Sequence, residues 1–72
     1  MNAKQLDFDM LLSAARCMER EGGSFAGHIA RAFYVADASN REKLLSAFDE
    51  LFVEFYRKHM RDVRNQEMRV NG

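Results

Sequence analysis

The chain has 72 residues with 11 basic and 11 acidic side chains, no proline, no tryptophan and a single cysteine. A chain of that length makes one domain, buries only about 60% of its unfolded surface and leaves little room for an elaborate active site. Zero formal charge supplies no global field to draw nucleic acid or a membrane, and the lone Cys17 excludes an internal disulfide and fits a reducing cytoplasm.

Abundant Ala, Leu, Met, Glu, Lys and Arg with only four glycines favour an all-α fold. The reading is a small three-helix bundle with helices over about 3–21, 25–36 and 38–64. No apolar run approaches a membrane span, and the polar start MNAKQLDFDM is unlike a signal peptide.

The first helix is predicted from Ala3 to Glu21, stopped by Gly22-Gly23, since glycine suits the residue that closes a helix. Phe8, Leu11, Leu12, Ala15 and Met18 make one apolar side, and Leu6, Met10, Ala14 and Cys17 make a second. Only a strip around Asp9, Ser13 and Arg16 is polar throughout. Phe8, Leu11 and Leu12 are assigned to the core. Leu6, Met10 and Cys17 are then candidates for contact with a partner, because free apolar patches are uncommon on monomers.

Ser24 is placed to cap a second helix from Phe25 to about Ala36. Phe25, Ile29, Ala32, Phe33 and Ala36 share its predicted core face, and Tyr34 falls opposite, near Ala30, Gly27 and Arg31. Tyrosine is enriched at contact hot spots, so Tyr34 and Arg31 join the partner-binding candidates. The structural alternative for Tyr34 is a ring lying along its own helix.

Asp37-Ala38-Ser39-Asn40 makes the next corner, with Asp37 capping directly or Ser39 capping with Glu42 in a capping box. The segment NREKLLSAFDELFVEFYRKHM that follows is the strongest helical signal in the chain. Leu44, Phe48, Leu51, Phe52, Phe55 and His59 fall on one side with Leu45 and Tyr56 at an edge, opposite Lys43, Glu50, Glu54 and Arg57. Ser46 and Asp49 repeat the Ser-x-x-acid spacing inside it. That spacing marks either a kink, with Asp49 restarting the helix as a fourth, or two solvated polar residues.

From Arg57 the character changes: Arg57, Lys58, Arg61, Arg64 and Arg69 face only Asp62 and Glu67. Basic residues near a helix C-terminus offset its dipole, and the functional alternative is a phosphate-binding segment. Residues 65–72 read as a fraying tail.

The run from Gly22 to Tyr56, GGSFAGHIARAFYVADASNREKLLSAFDELFVEFY, resembles a group of small proteins encoded by bacteriophages and prophages of Gram-negative bacteria. The resemblance lies in GGSF, the Ala-Asp-x-x-Asn corner and the AF-x-x-LF segment, about half the chain. Those proteins often carry proline where this chain has Ala38 and Asp49, which implies two helices meeting near Phe48-Asp49. The resemblance implies a viral origin and a host cytoplasm, and brings no activity with it.

Cys17, His28 and Asp37 are a nucleophilic set by residue type, but nothing in their spacing joins thiol and imidazole. Zinc lacks a paired cysteine or a His-x-x-x-His spacing, and no cofactor motif is present. His59, with Asp62 one turn on, reads as a partly buried imidazole beside a carboxylate. Gly22-Gly23-Ser24 offers free amides for one anion, yet needs no ligand as a helix stop and cap.

The sequence therefore points to a non-catalytic protein that binds a host or viral protein as inhibitor or accessory factor. Its candidate contacts are Leu6, Met10, Arg31, Tyr34, Arg57, Arg61 and Arg64. The alternatives are a nucleic-acid accessory protein using the basic segment, which predicts steep salt dependence, and a structural homodimer paired through a helix.

Overall fold

A computed structural model describes residues 1–71, with side chains through Gln66. One 3-10 turn, Ala3–Gln5, precedes four α-helices: α1 (Phe8–Glu21), α2 (Gly23–Val35), α3 (Ala38–Ala47) and α4 (Asp49–Asn71). The chain is all-helical, with the fourth helix realised by a break at Phe48 (φ −120°, ψ 36°). α4 continues past the expected boundary at 64 to Asn71, so 65–71 stand in the helix. Gly72 and the side chains of 67–72, Arg69 and Glu67 included, lie outside the described residues.

The expected first helix is divided. Asn2 donates its amide to Gln5 Oε1 at 2.8 Å and closes the 3-10 turn, the chain extends at Leu6, and Asp7 caps α1 by accepting from the Met10 amide at 2.9 Å. The extended residues let Ala3 lie at the start of α4, where its amide donates to the Asp49 carboxylate. Asp49 does begin the fourth helix, and it also ties down the N-terminus.

Between α1 and α2 the turn is a single residue, Gly22, which ends one helix and begins the other. A Cβ there would sit 2.6 Å from both the Met18 carbonyl oxygen and Ala26 Cβ, and 3.0 Å from Phe55. Gly23 supplies the positive φ of 79° that reverses the chain. Ser24 lies inside the first turn of α2 and no side chain caps it, contrary to the cap expected from sequence. The next corner follows the simpler expectation, with Asp37 accepting from the Asn40 amide at 2.8 Å.

The tight turn selects which faces meet. On α2 the buried residues are Ala26, Gly27, Ala30 and Phe33; on α1 they are Leu11, Ala14, Ala15, Cys17 and Met18. Small residues on both helices let the backbones approach closely, so the expected α2 face is corrected. Phe25 is 63% exposed and Ile29 only half-buried, while Ala26 and Ala30 take the inner positions. α1 is corrected the same way. Leu6 (7% exposed) and Cys17 are core, and Phe8, assigned to the core from sequence, is 49% exposed.

α4 runs in the same sense as α1, from Ala3 beside Asp49 to Glu21 beside Lys58. Its fully buried Phe52 meets Phe33 with ring centroids 5.4 Å apart, and Val53 and Leu45 complete the core from α4 and α3. Arg41 of α3 covers the other end: its guanidinium lies 4.9 Å from the Phe8 ring and 5.7 Å from the Phe33 ring, and donates to the Ala36 carbonyl.

Phe52→Ala is expected to cost about 3–5 kcal/mol, Gly22→Ala about 1–3 kcal/mol through overpacking, and Gly23→Ala about 1 kcal/mol through its positive φ. Urea midpoints at constant m-value measure all three. A neutral Gly22→Ala result would show that the α1–α2 approach is looser than the geometry requires.

Candidate functional site

The sequence candidates fall into three places. Leu6 leaves the set because it is buried, and Cys17 with it. Met10 stays partly exposed on α1. Arg31 and Tyr34 stand on the outward side of α2, and Arg57, Arg61 and Arg64 stand on the outward side of α4.

On α2 the exposed residues Ser24, His28, Arg31 and Val35 form one stripe at helical spacing, with Phe25 and Tyr34 at its two edges. The burial of Ala26, Ala30 and Phe33 fixes that stripe outward. Val35 is 85% exposed, which a core residue would not be. The Arg31 guanidinium and His28 Nδ1 are 2.9 Å apart, one turn along the same stripe. Tyr34 reaches across to α1 and donates to Glu19 Oε1 at 3.2 Å. Partial burial and the adjoining carboxylate push its phenol above the ordinary range. Tyr34 thus lies over the neighbouring helix rather than its own. α2 contains no acidic residue, so the stripe carries no negative charge of its own and Arg31 is its fixed positive charge.

A second cluster joins the ends of α1 and α4. Cys17 donates its thiol hydrogen to Glu21 Oε2 (3.4 Å), and ligand atoms of Cys17, Glu21 and Asp62 lie within 4.8 Å of one another. The composition suggests a cation site, but the chain supplies its own cation. Lys58 Nζ lies 3.4 Å from Glu21 and 3.8 Å from Asp62. Burial first, then the bond to Glu21 and its charge, push the Cys17 thiol up, so it stays protonated at neutral pH. The Glu21 carboxylate is held below its usual range by the thiol hydrogen bond and by Lys58. The arrangement is a closed ion-pair network that fixes α1 to α4. His59 lines the shallow groove beside it, half-buried with Asp62, as its spacing suggested.

Cys17, His28 and Asp37 are not brought together: the thiol serves Glu21, the imidazole meets Arg31 and the carboxylate caps α3. Nor is the Gly22 amide free for an anion, since it donates to the Met18 carbonyl at 2.9 Å.

The third place is α4. Glu50, Glu54, Arg57, Arg61 and Arg64 recur at i, i+4, i+7, i+11 and i+14, all exposed, and so occupy one outward stripe. Beside it Met1, Tyr56, Met60 and Arg61 line a groove. Sequence reasoning set Glu50 and Glu54 with Arg57 on the solvated face of this helix but took only the three arginines as contact candidates. It missed Glu19 as the partner of Tyr34, a contact fifteen residues apart that no local pattern announces.

No family model, curated protein or solved structure matches this chain. No helix among the described residues is long and apolar enough to cross a membrane.

Cys17 should resist a thiol reagent in the folded protein and react at the normal rate in denaturant; rapid labelling of the native state would contradict its burial. Because the Glu21 carboxylate is depressed on folding, its stabilisation is present above the unfolded carboxylate range and is lost as pH falls through the folded value. Glu21→Gln should therefore unfold at lower urea than wild type at pH 7, with the gap closing in acid.

Proposed function

We propose that this chain is a non-catalytic helical module that binds a host or viral protein, as inhibitor or accessory factor, in the bacteriophage setting its sequence resembles and in the host cytoplasm. The observation that carries the reading is the outward stripe of α2, where Phe25 and Val35 are 63% and 85% exposed beside Arg31 and Tyr34. The sequence placed the surplus apolar surface on α1. What supports α2 instead is that Leu6, Ala14 and Cys17 are buried, leaving Met10 as the exposed residue of that face, whereas Phe25 and Val35 of α2 lie open to solvent.

Aromatic residues and arginine are enriched where interfaces gain their energy. Tyr34 is held in place by Glu19, so less side-chain freedom is lost when a partner covers it. An acid-free stripe with Arg31 at its centre favours a partner surface that is apolar with a carboxylate rim. The mechanism is occlusion: a short rigid helix covers the partner surface, and the bundle behind it fixes its orientation.

The test is affinity capture from host lysate with wild type and with Arg31→Glu/Val35→Asp, both sites being exposed. The double variant should keep its helical circular dichroism and its thermal midpoint within a few degrees, and lose the captured protein. Unchanged capture would remove α2 from the interface.

A further inference from the structure

We propose that the outward side of α4 is a self-complementary surface that pairs with α4 of a second copy of this chain in antiparallel orientation. The stripe changes sign along its length: Glu50 and Glu54 stand at one end and Arg61 and Arg64 at the other, all exposed. Reversed on itself, the stripe sets Glu50 opposite Arg64 of the second copy and Glu54 opposite Arg61. The two pairings are centred within about half a residue of each other, beside Arg57, so one two-fold axis serves both, the offset being under about 1 Å. That axis repeats each pair, giving four oppositely charged pairs, with only Arg57 meeting a like charge.

The apolar residues agree with that register. Val53, Tyr56, Met60 and Val63 follow the alternating three- and four-residue spacing of a helix-pairing seam. Val53 is covered within its own chain, Tyr56 and Val63 are half-buried, and Met60 is 47% exposed. Setting Tyr56 against Met60 of the second copy centres the seam within one residue of the charge axis, which slides the two copies past each other by about 3 Å. Long Glu and Arg side chains span that difference.

A helix stripe meant for nucleic acid would not begin with two carboxylates, which repel phosphate where a groove-tracking helix would pass. The neighbouring Lys58 is already engaged by Glu21 and Asp62. The charge pattern thus fits a second copy better than a polyanion. Nor does the surface draw on α2, so both contacts can be made at once and each can fail without the other.

Sedimentation equilibrium up to about 1 mM, the reach of weak association, tests the inference on wild type and two variants. Glu50→Lys/Glu54→Lys makes the stripe wholly basic, and Arg61→Glu/Arg64→Glu leaves it mainly acidic. Wild type should dimerise. Each variant alone should dissociate at least about tenfold more readily, and an equimolar mixture of the two should form a heterodimer. All four positions are exposed, and circular dichroism of each variant confirms the fold. A wild type monomeric at the highest concentration overturns the proposal, as does a dimer insensitive to both reversals. So does a monomer that binds an oligonucleotide at low salt and loses it on Arg61→Glu/Arg64→Glu, which would make the stripe a phosphate-binding surface.

Discussion

The close approach of α1 and α2 across Gly22 is the constraint on which the rest of the molecule depends. One residue joins the two helices, and its Hα faces the Met18 carbonyl and Ala26 where any Cβ would overlap. Small side chains line that approach, Ala14, Ala15, Ala26 and Ala30, with the fully buried Met18 the larger residue packed beside the turn. The aromatic core residues enter farther off: Phe33 far along α2, and Phe52 from α4, whose ring meets it. The phenyl ring of Phe55 closes the same corner from the third side. Core position, and therefore surface position, follows from that turn.

The helical class, the glycine stop and the Asp37 corner were legible in the sequence, because each rests on a local preference; the division at Phe48-Asp49 stood there only as one of two readings of the Ser-x-x-acid spacing and as what the resemblance implied. The rotation of α1 and α2 about their axes was not. On α2, Phe25, Ile29 and Phe33 make the more hydrophobic stripe, and periodicity alone selects it. The turn overrides that choice, since burying Phe25 would push the helices apart at the point where Gly22 draws them together. Phe25 instead packs edge-on against Phe48 at a centroid distance of 5.7 Å and stays largely open to solvent. α1 shows the same substitution of size for hydrophobicity, with Ala14 and Cys17 inside and Phe8 half-exposed against the Phe33 ring and the Arg41 guanidinium.

The N-terminal segment illustrates a different limit. A continuous helix from Ala3 satisfies the pattern of apolar residues, and nothing between Lys4 and Asp7 forbids it by propensity. What breaks it is a tertiary gain: Asp7 caps α1 more favourably than it would sit inside a helix, and the extended Leu6 buries its side chain while Ala3 reaches Asp49. One carboxylate at the start of α4 thus answers the helix dipole and the chain terminus together. The candidate surfaces inherit these outcomes. Leu6 could not remain a contact residue once the strap closed, and Arg31 and Tyr34 could, because the face chosen by Gly22 leaves them outside.

α4 is the element whose length the single core does not explain. Its 23 residues span about 34 Å at 1.5 Å per residue, whereas α1 ends where Glu21 meets Lys58 and Cys17 and Glu21 lie beside Asp62. Beyond Asp62 the helix runs past its neighbour. A short unsupported run has little intrinsic stability in water, since most helical stability in proteins comes from packing an amphipathic face. Among the described residues, the face available for such packing is the seam of Tyr56, Met60 and Val63 beside the charge-reversed stripe. Pairing through it would supply contacts that the bundle lacks and would couple the stability of α4 to protein concentration by mass action. The first residues of the overhang would then have a physical reason: Arg64 lies just past Asp62, where it would meet Glu50 at the acidic start of α4 in another copy.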